Sequence, residues 1–188
     1  MQILLASASP RRKEILEKII GSNFITKSFD VDENYFAKTP EETAIELAKR
    51  KLKAVQSSNL YEVIITGDTI VWNDGKYYGK PSSLVEAKQM LLELAGKTHK
   101  VVSSVLVQFN EHIEVGTAVS FVTLKNLTVE NIENYIKNHQ VLDKAGSYAI
   151  QDGIVVEKYT GSYDNIVGLP SEKLIEIFKK INLSSIIK

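Results

Sequence analysis

The sequence lacks cysteine, an excess of charge of one sign and any long hydrophobic run. Without cysteine, its 188 residues can form neither a disulfide framework nor a thiolate metal site, which is compatible with a reducing compartment. Its 23 basic and 23 acidic residues give a formal net charge of zero, which argues against a general binder of nucleic acid or membrane surfaces. No apolar run approaches the length of a membrane span, and the first is too short for a signal peptide. We therefore expect a cytoplasmic protein that binds no nucleic acid and enters no membrane.

Histidine is scarce, and the common catalytic motifs that need it are missing. His99, His112 and His139 are isolated, and no pair has the helical spacing of a zinc site. A nucleophile-elbow serine and a phosphate-binding loop of the GKS or GKT type are absent as well. These absences weaken the hypotheses of a zinc hydrolase and a serine hydrolase. With no internal repeat and no linker, we predict a single domain over residues 1–188.

The beginning of the chain predicts an anion site formed by a strand, a hydroxyl-bearing turn and a helix. Residues 3–6 are apolar and favour a buried strand, Ser9 is a candidate N-cap, and Pro10 suits the first helical position. The N–H groups and positive dipole end of such a helix attract anions, and Arg11 and Arg12 add forked donors that match phosphate oxygens. The pattern indicates either a cradle for a polyphosphate or a capped helix with two solvated arginines.

Acidic side chains offer candidate ligands for a divalent cation. The stretch Asp30-Val31-Asp32-Glu33 places three carboxylates within four residues, either as a polar loop or as ligands of a hard cation such as magnesium. Residues 62–66 predict a buried central strand that ends at Gly67-Asp68-Thr69. Because α/β proteins commonly place ligand chemistry just past the carboxyl end of such a strand, Asp68 is a candidate metal ligand or base. A turn aspartate bonded to its own backbone is the alternative.

Two lysines are candidate contacts for an anion. The helix predicted for residues 40–56 has an apolar stripe, and Lys51 lies within it, four residues from both Leu47 and Val55. Because burial of an unpaired ammonium is costly, either its stem reaches out to water or its charge meets an anion in a cleft. We favour the cleft because the same chain offers a phosphate turn. Lys80, between a predicted hairpin and a helix, is either a phosphate contact or a solvated surface lysine.

Apolar periodicity and turn residues predict a mixture of helices and strands along the chain. Helices are expected after Ser9, over residues 40–56, from Ser82 or Ser83 to Gly96, over 128–139, and after Ser171. Strands are expected over 3–6, 24–29, 62–66, 100–109, 114–124 and 154–159, with a hairpin over 70–78 that turns at Asp74-Gly75. Residues 143–153 are small and irregular, which indicates a binding loop or a distorted strand.

In their order, these motifs resemble those of the Maf family of nucleoside triphosphate pyrophosphatases nearly from end to end. The most specific motif is Ser7-Ala8-Ser9-Pro10-Arg11-Arg12 at the beginning of the chain. The others follow in the family's order: Glu33, Ala48-Lys49-Arg50-Lys51, Gly67-Asp68-Thr69, Gly79-Lys80-Pro81, Gly96, His99, residues 143–151 and Val167-Gly168-Leu169-Pro170. Each motif alone is weak, and the ordered set is strong.

The resemblance implies an α/β fold with two lobes, in which helices flank a long central mixed sheet and the active site lies in a cleft between the lobes. It implies hydrolysis between the α- and β-phosphates of a nucleoside triphosphate, assisted by a divalent cation, Mg²⁺ or Mn²⁺. The products would be the monophosphate and pyrophosphate. The pattern of residues 144–151 is similar to the branch that prefers dTTP and UTP. A homodimer is implied as well.

The resemblance also implies a role for each of eight residues. These roles are phosphate binding by Ser7, Arg11 and Arg12, neutralisation of the triphosphate by Lys51 and Lys80, cation binding by Glu33 and Asp68, water activation by Asp68, and a position near the base for Gln151. Thr66, Leu52 and Asp152 depart from the family's common pattern, and Asp152 lies beside the residue expected near the base. The alternative hypotheses are a nucleotide-binding regulator of cell division without turnover and, more weakly, a general phosphatase.

Overall fold

A computed structural model describes residues 1–56 and 61–188 of the chain. In this part, helices flank one mixed sheet of seven strands. The strands are β1 (Ile3–Leu5), β2 (Ile25–Thr26), β3 (Val63–Asn73), β4 (Lys76–Tyr78), β5 (Thr98–Phe109), β6 (His112–Leu124) and β7 (Val156–Thr160). The α-helices are α1 (Pro10–Ile20), α2 (Pro40–Gln56), α3 (Leu84–Leu94), α4 (Val129–Asn138), α5 (Tyr163–Val167) and α6 (Ser171–Lys180).

The strand order is β2-β1-β3-β5-β6-β7, and β4 pairs with β3 outside this path. β1 runs parallel to β2 and β3, whereas β3, β4, β5, β6 and β7 pair antiparallel. This mixed sheet with flanking helices confirms the predicted α/β class. Among the described residues, none of the helices has the length and apolar character that crossing a bilayer requires.

Strand β3 is longer than predicted, and this decides where the site lies. Its parallel pairing with β1 ends at Leu5 and Ile65, while its antiparallel pairing with β5 continues to Trp72. The prediction that the strand ends at residues 67–69 was therefore wrong, because pairing with β5 extends the strand to Trp72. On the other edge, β4 joins only from Val71. Between β1 and β4 this edge of β3 is left open, and Asp68 lies in the opening.

Helices pack on both faces of the sheet. The apolar stripe of α2 is buried against β3 and β5 on one face. On the other face, one core cluster gathers α1, α6 and the β1 end of the sheet, and a second gathers α3, α4 and β4. The open edge of β3 lies between these two clusters. A side chain from either face of β3 can therefore reach the same opening, since successive residues of a strand point to opposite faces.

Local sequence signals account for most element boundaries. Ser9 caps α1 by accepting a hydrogen bond from the Arg12 N–H, and Pro10 is its first residue, as predicted. The predicted hairpin turn is confirmed, with φ of +47° at Asp74 and +83° at Gly75. The prediction for β2 was also wrong, since it has two residues instead of the expected 24–29, and α5 was not anticipated.

Candidate active site

A cleft of about 540 Å³ opens beside the uncovered edge of β3. All eight residues that the sequence singled out line it, namely Ser7, Arg11, Arg12, Glu33, Lys51, Asp68, Lys80 and Gln151. They come from the β1–α1 connection, α1, the segment before α2, α2 itself, β3, the β4–α3 connection and the irregular stretch after α4. The structure thus brings distant segments to one place, while the chemical role of each residue stays a prediction.

The connection between β1 and α1 lines this cleft. Ser9 accepts from the Arg12 N–H at 3.4 Å, and the Ser9 N–H donates to Ser7 Oγ at 3.1 Å. Residues 6–12 all line the cleft, so the start of α1 and its positive dipole end face the cavity. This is the geometry of a helix N-terminus that receives an anion.

Lys51 bridges two carboxylates at the open edge of β3. Its Nζ lies 2.5 Å from Asp68 Oδ1 and 2.7 Å from Glu33 Oε1. The side chains of Lys51 and Asp68 are only 12% and 11% exposed, so the lysine does not reach out to bulk water. Of the two interpretations of Lys51, the one that sends its charge into a cleft is therefore confirmed, with carboxylates of the protein as its partners.

The charges around Glu33 keep it ionised. Burial acts to raise the pKa of Glu33, but its hydrogen bond to Lys51 and the charges of Lys51, Lys80 and Arg12 outweigh burial, so the pKa is lowered. Four cations and two carboxylates from the predicted set face one cavity. This excess of positive charge suits a polyanionic ligand.

The two arginines of α1 are held by different partners. Arg11 donates from NH1 to Asp143 Oδ2 at 3.0 Å and from NH2 to the Asp143 carbonyl at 3.2 Å. Arg12 donates from Nε to the Gly168 carbonyl at 2.7 Å and from NH2 to Thr69 Oγ1 at 3.0 Å. Burial lowers the pKa of Arg12, and the negative charge of Asp68 opposes this change. Neither arginine is therefore simply solvated, and both line the cleft.

The acidic pair fits a magnesium ion that also binds a ligand. Among the residues described, no group of three or more acidic or histidine side chains forms a ready-made metal cage. Mg²⁺ characteristically takes one or two protein carboxylates and completes its shell with water and substrate phosphates. Glu33 and Asp68 are two carboxylates that contact the same ammonium within the cleft, a number that fits such an ion.

The irregular stretch after α4 consists of two 3-10 turns, Ala145–Ser147 and Ile150–Asp152. Tyr135 ties the second turn to α4, because its hydroxyl donates to Asp152 Oδ2 at 2.5 Å and accepts from the Ala149 N–H at 3.1 Å. Asp152, which departs from the family's common pattern, therefore anchors the turn that carries Gln151. Nearby, the Tyr148 hydroxyl lies 2.7 Å from Nε2 of His99.

The sequence analysis gave no role to some residues that line the cleft. Thr69 and Tyr148 line it, and the side chain of Phe36 does so while 60% exposed. Thr69 directly follows Asp68 in the sequence. This position would have indicated that Thr69 lines the cleft if the continuation of β3 past Asp68 had been known. For Phe36 no local signal existed, since an aromatic residue in a loop has no periodicity to mark it.

The fold and site define an α/β protein whose cleft combines a helix N-terminus, several cations and an acidic pair. The family described as Maf-like protein matches residues 2–181. The dTTP/UTP pyrophosphatase of Pyrococcus abyssi is 40% identical over 179 residues, which are 94% of this chain and 95% of that protein. The protein of the same name from Bacteroides fragilis (strain YCH46) is 41% identical over 186 residues, 96% of each chain. The chain therefore belongs to the Maf family.

One further relative and one solved structure complete these comparisons. The dTTP/UTP pyrophosphatase of Bacillus cereus (strain ATCC 10987) is 39% identical over 97% of this chain and 91% of that protein. A crystal structure of a nucleoside-triphosphatase / dITP/XTP pyrophosphatase from Mycobacterium abscessus covers 98% of both chains at 15% identity, with a TM-score of 0.45. That structural likeness is too distant to support an argument.

Proposed function

We propose that the protein hydrolyses nucleoside triphosphates, with dTTP and UTP as preferred substrates, to the monophosphate and pyrophosphate. The observation that carries the proposal is the arrangement of Lys51, Asp68 and Glu33 beside the start of α1 in one cleft. The names of the relatives at about 40% identity support the same activity. In this proposal, residues 1–188 form a single domain.

The cationic end of the cleft holds the triphosphate. The start of α1 offers N–H groups, and Ser7, Arg11 and Arg12 add side-chain donors beside it. Arg11 exchanges Asp143 for a phosphate oxygen, because the more highly charged anion is the stronger acceptor. Lys51 and Lys80 neutralise the charge that develops on the leaving pyrophosphate. Fixed positive groups of this kind stabilise the transition state without reorganising during the reaction.

Asp68 is the general base. The oxygen of a water molecule forms a bond to phosphorus, its proton passes to Asp68, and pyrophosphate leaves with the electrons of the broken phosphoanhydride bond. Lys51, in contact with Asp68 Oδ1, holds this carboxylate in place. No covalent intermediate is needed, which agrees with a site that lacks a nucleophile elbow.

Glu33 and Asp68 would hold the divalent cation, Mg²⁺ or Mn²⁺. Such an ion, when bound, adds Lewis acidity at the phosphates. Lys51 contacts both carboxylates, so an ion held there would share them with its ammonium.

Gln151 contacts the base from the 3-10 turn that Asp152 anchors. A side-chain amide both donates and accepts hydrogen bonds, as does the imide edge shared by thymine and uracil. Gln151 lines the cleft, in a turn that Tyr135 fixes to α4. This match supports the dTTP and UTP preference that the names of the relatives suggest.

The homodimer and the cytoplasmic location also remain predictions. An exposed apolar strip on β6 supports a dimer, since it combines Ile113, Val115, Val119 and Phe121, which are 48%, 41%, 37% and 43% exposed. Light scattering on the purified protein tests this prediction. We expect the mass of a dimer for the natural sequence and that of a monomer for Phe121→Glu.

The decisive experiment incubates the protein with dTTP, UTP, CTP, GTP and ATP in the presence of Mg²⁺ or Mn²⁺. Monophosphate and pyrophosphate are measured together, and a parallel series contains excess EDTA. Equal release of both products from dTTP or UTP, abolished by EDTA, is expected. Orthophosphate as product would identify a general phosphatase instead. Tight binding of nucleotide without cleavage would identify a regulator.

A further inference from the structure

A chain of buried hydrogen bonds connects α5 with the phosphate-binding end of the cleft. Asn165 lies in α5, and it is fully buried together with Ser103 and Ser120, one from each of the adjacent strands β5 and β6. Buried polar groups are almost always hydrogen-bonded, so these three side chains are expected to have partners inside the protein. Nothing in the sequence around them predicted the cluster.

Asn165 attaches α5 to the sheet. Its Oδ1 accepts from the Ser103 N–H at 2.9 Å, and its Nδ2 donates to the Val101 carbonyl at 3.0 Å and to Ser120 Oγ at 2.8 Å. Its own carbonyl accepts from Ser103 Oγ at 2.8 Å. The amide thus uses its acceptor and both donor hydrogens against β5 and β6, which fixes α5 in one position.

From Ser103 and from α5, two paths lead to Arg12. Ser103 Oγ lies 2.9 Å from Thr69 Oγ1, which in turn accepts from NH2 of Arg12. Three residues after Asn165, the Gly168 carbonyl accepts from Nε of Arg12 at 2.7 Å. Two of the three acceptors that hold the guanidinium therefore depend on Asn165 through a neighbour. Thr69 is linked to it by Ser103, and the Gly168 N–H donates to Asp164, which precedes Asn165 in α5.

The approach of Gly168 to Arg12 needs a residue without a side chain. Its φ is +127°, and a Cβ at this position would lie 3.3 Å from Thr69 Oγ1 and 3.7 Å from Nε of Arg12. The segment Val167-Gly168-Leu169-Pro170 belongs to the motifs that carry the family resemblance, and the proposed reaction gave it no role. The contact with Arg12 supplies one.

We propose that Asn165, acting with Ser103, is a positioning residue for Arg12 in phosphate binding. The inference rests on the proposed function in one respect, namely that Arg12 contacts the phosphate chain. Arg12 has five N–H donors, and the contacts to Gly168, Thr69 and Ser7 use one on each nitrogen. One donor on each terminal nitrogen is left to face an anion, and the side chain is already held in one orientation. Such preorganisation lowers the entropy lost on binding.

A double-mutant cycle on binding of inorganic tripolyphosphate tests the inference. Calorimetry in MgCl₂ compares the full chain with Ser103→Ala, Asn165→Ala and Arg12→Ala, and with Ser103→Ala and Asn165→Ala each combined with Arg12→Ala. We expect each single replacement at 103 or 165 to weaken binding about fivefold, and to have no further effect once Arg12 is gone. A merely structural role would weaken binding by the same factor with and without Arg12.

Thr117→Val is the matched control, because its Oγ1 bonds to Ser104 Oγ at 2.9 Å on strands β6 and β5 but does not lead to Arg12. Binding by this variant should equal that of the natural sequence. If Asn165→Ala fails to fold, Ser103→Ala decides, and Arg12→Lys replaces an unfolded Arg12→Ala.

Equal effects in both backgrounds, or no binding of tripolyphosphate by the natural sequence, would overturn the inference. Turnover of dTTP is measured separately, so the two proposals fail independently. If positions 103 and 165 couple to Arg12 but dTTP is not turned over, only the proposed function is overturned. If dTTP is turned over without this coupling, only the positioning role is overturned.

Discussion

The Nζ atom of Lys51 lies 2.5 Å from Oδ1 of Asp68, although one residue belongs to helix α2 and the other to strand β3. Each side chain is nearly buried, and each would be costly to bury without the other. The contact ties the helix on one face of the sheet to the open edge of β3. It therefore sets both the shape of the cleft and its charge.

Replacement of Asp68 by asparagine should sharply reduce catalysis and leave the fold intact, because the amide oxygen can still accept from Lys51, which also keeps Glu33 as its partner. The amide keeps the size of the side chain but cannot accept the proton of water, so turnover of dTTP should fall about 10²- to 10⁴-fold. Pyrophosphate release at saturating nucleotide is the measurement. Asp74→Asn, the same exchange at the exposed hairpin turn, should retain full activity. Undiminished turnover in Asp68→Asn would show that another group is the base.

Replacement of Lys51 by methionine should reduce activity and also disturb the acidic pair. The uncharged side chain cannot neutralise phosphate, and removing such a fixed charge costs on the order of 10²-fold in turnover. The hydrogen bond and charge of Lys51 that lower the pKa of Glu33 are lost as well, so that pKa should rise. Steady-state kinetics and carboxyl NMR titration measure the two effects. Lys49→Met, two residues away and exposed, should change neither.

His99 should make the protein less stable as the pH falls below neutral. Burial lowers the pKa of His99 from 6.5 to about 4, and among the described residues its Nδ1 has no hydrogen-bond partner. Between these two values the unfolded chain takes up a proton that the folded chain refuses. The contribution of His99 to the free energy of unfolding is therefore complete above pH 6.5. It is lost progressively toward pH 4, by on the order of 3 kcal/mol.

Urea unfolding at pH 7 and pH 5 measures the contribution of His99. The natural sequence and the exposed control His112→Gln should lose stability over this interval, and His99→Gln should lose clearly less. The comparison concerns the difference between the two pH values, because His99→Gln is also less stable at both. Equal losses in all three proteins would contradict the assignment.

Replacement of Gly67 by alanine should destabilise the strand that carries Asp68. An added Cβ would lie 2.8 Å from the backbone carbonyl oxygen of Ser104, which cannot rotate away. Overpacking of this kind costs about 1–3 kcal/mol, and a displaced β3 also moves Asp68. Thermal unfolding measures the effect. Gly79→Ala is the control, since its Cβ would meet no atom within 4 Å, and a similar loss in both variants would argue against the clash.

Local patterns in the sequence were sufficient for several parts of the site. Ser9 and Pro10 marked the start of α1, because capping depends only on residues within one turn. The inward position of Lys51 followed from helical periodicity, which a buried apolar stripe imposes. In contrast, the end of strand β3 was misplaced, since its length depends on pairing with β5 from Val63 to Trp72.

By itself, the sequence determined most of the helices, the hairpin turn, and which residue types are available for phosphate chemistry, because caps, turns and periodicity act over a few residues. Only the tertiary structure decided how these residues meet. Arg12 and Gly168 are 156 positions apart, and Ser103 and Asn165 are 62 apart. Such contacts follow from sheet order and register, which depend on the packing of the whole core. The open edge of β3 belongs to this second class, because it exists only where β1 has ended and β4 has not begun.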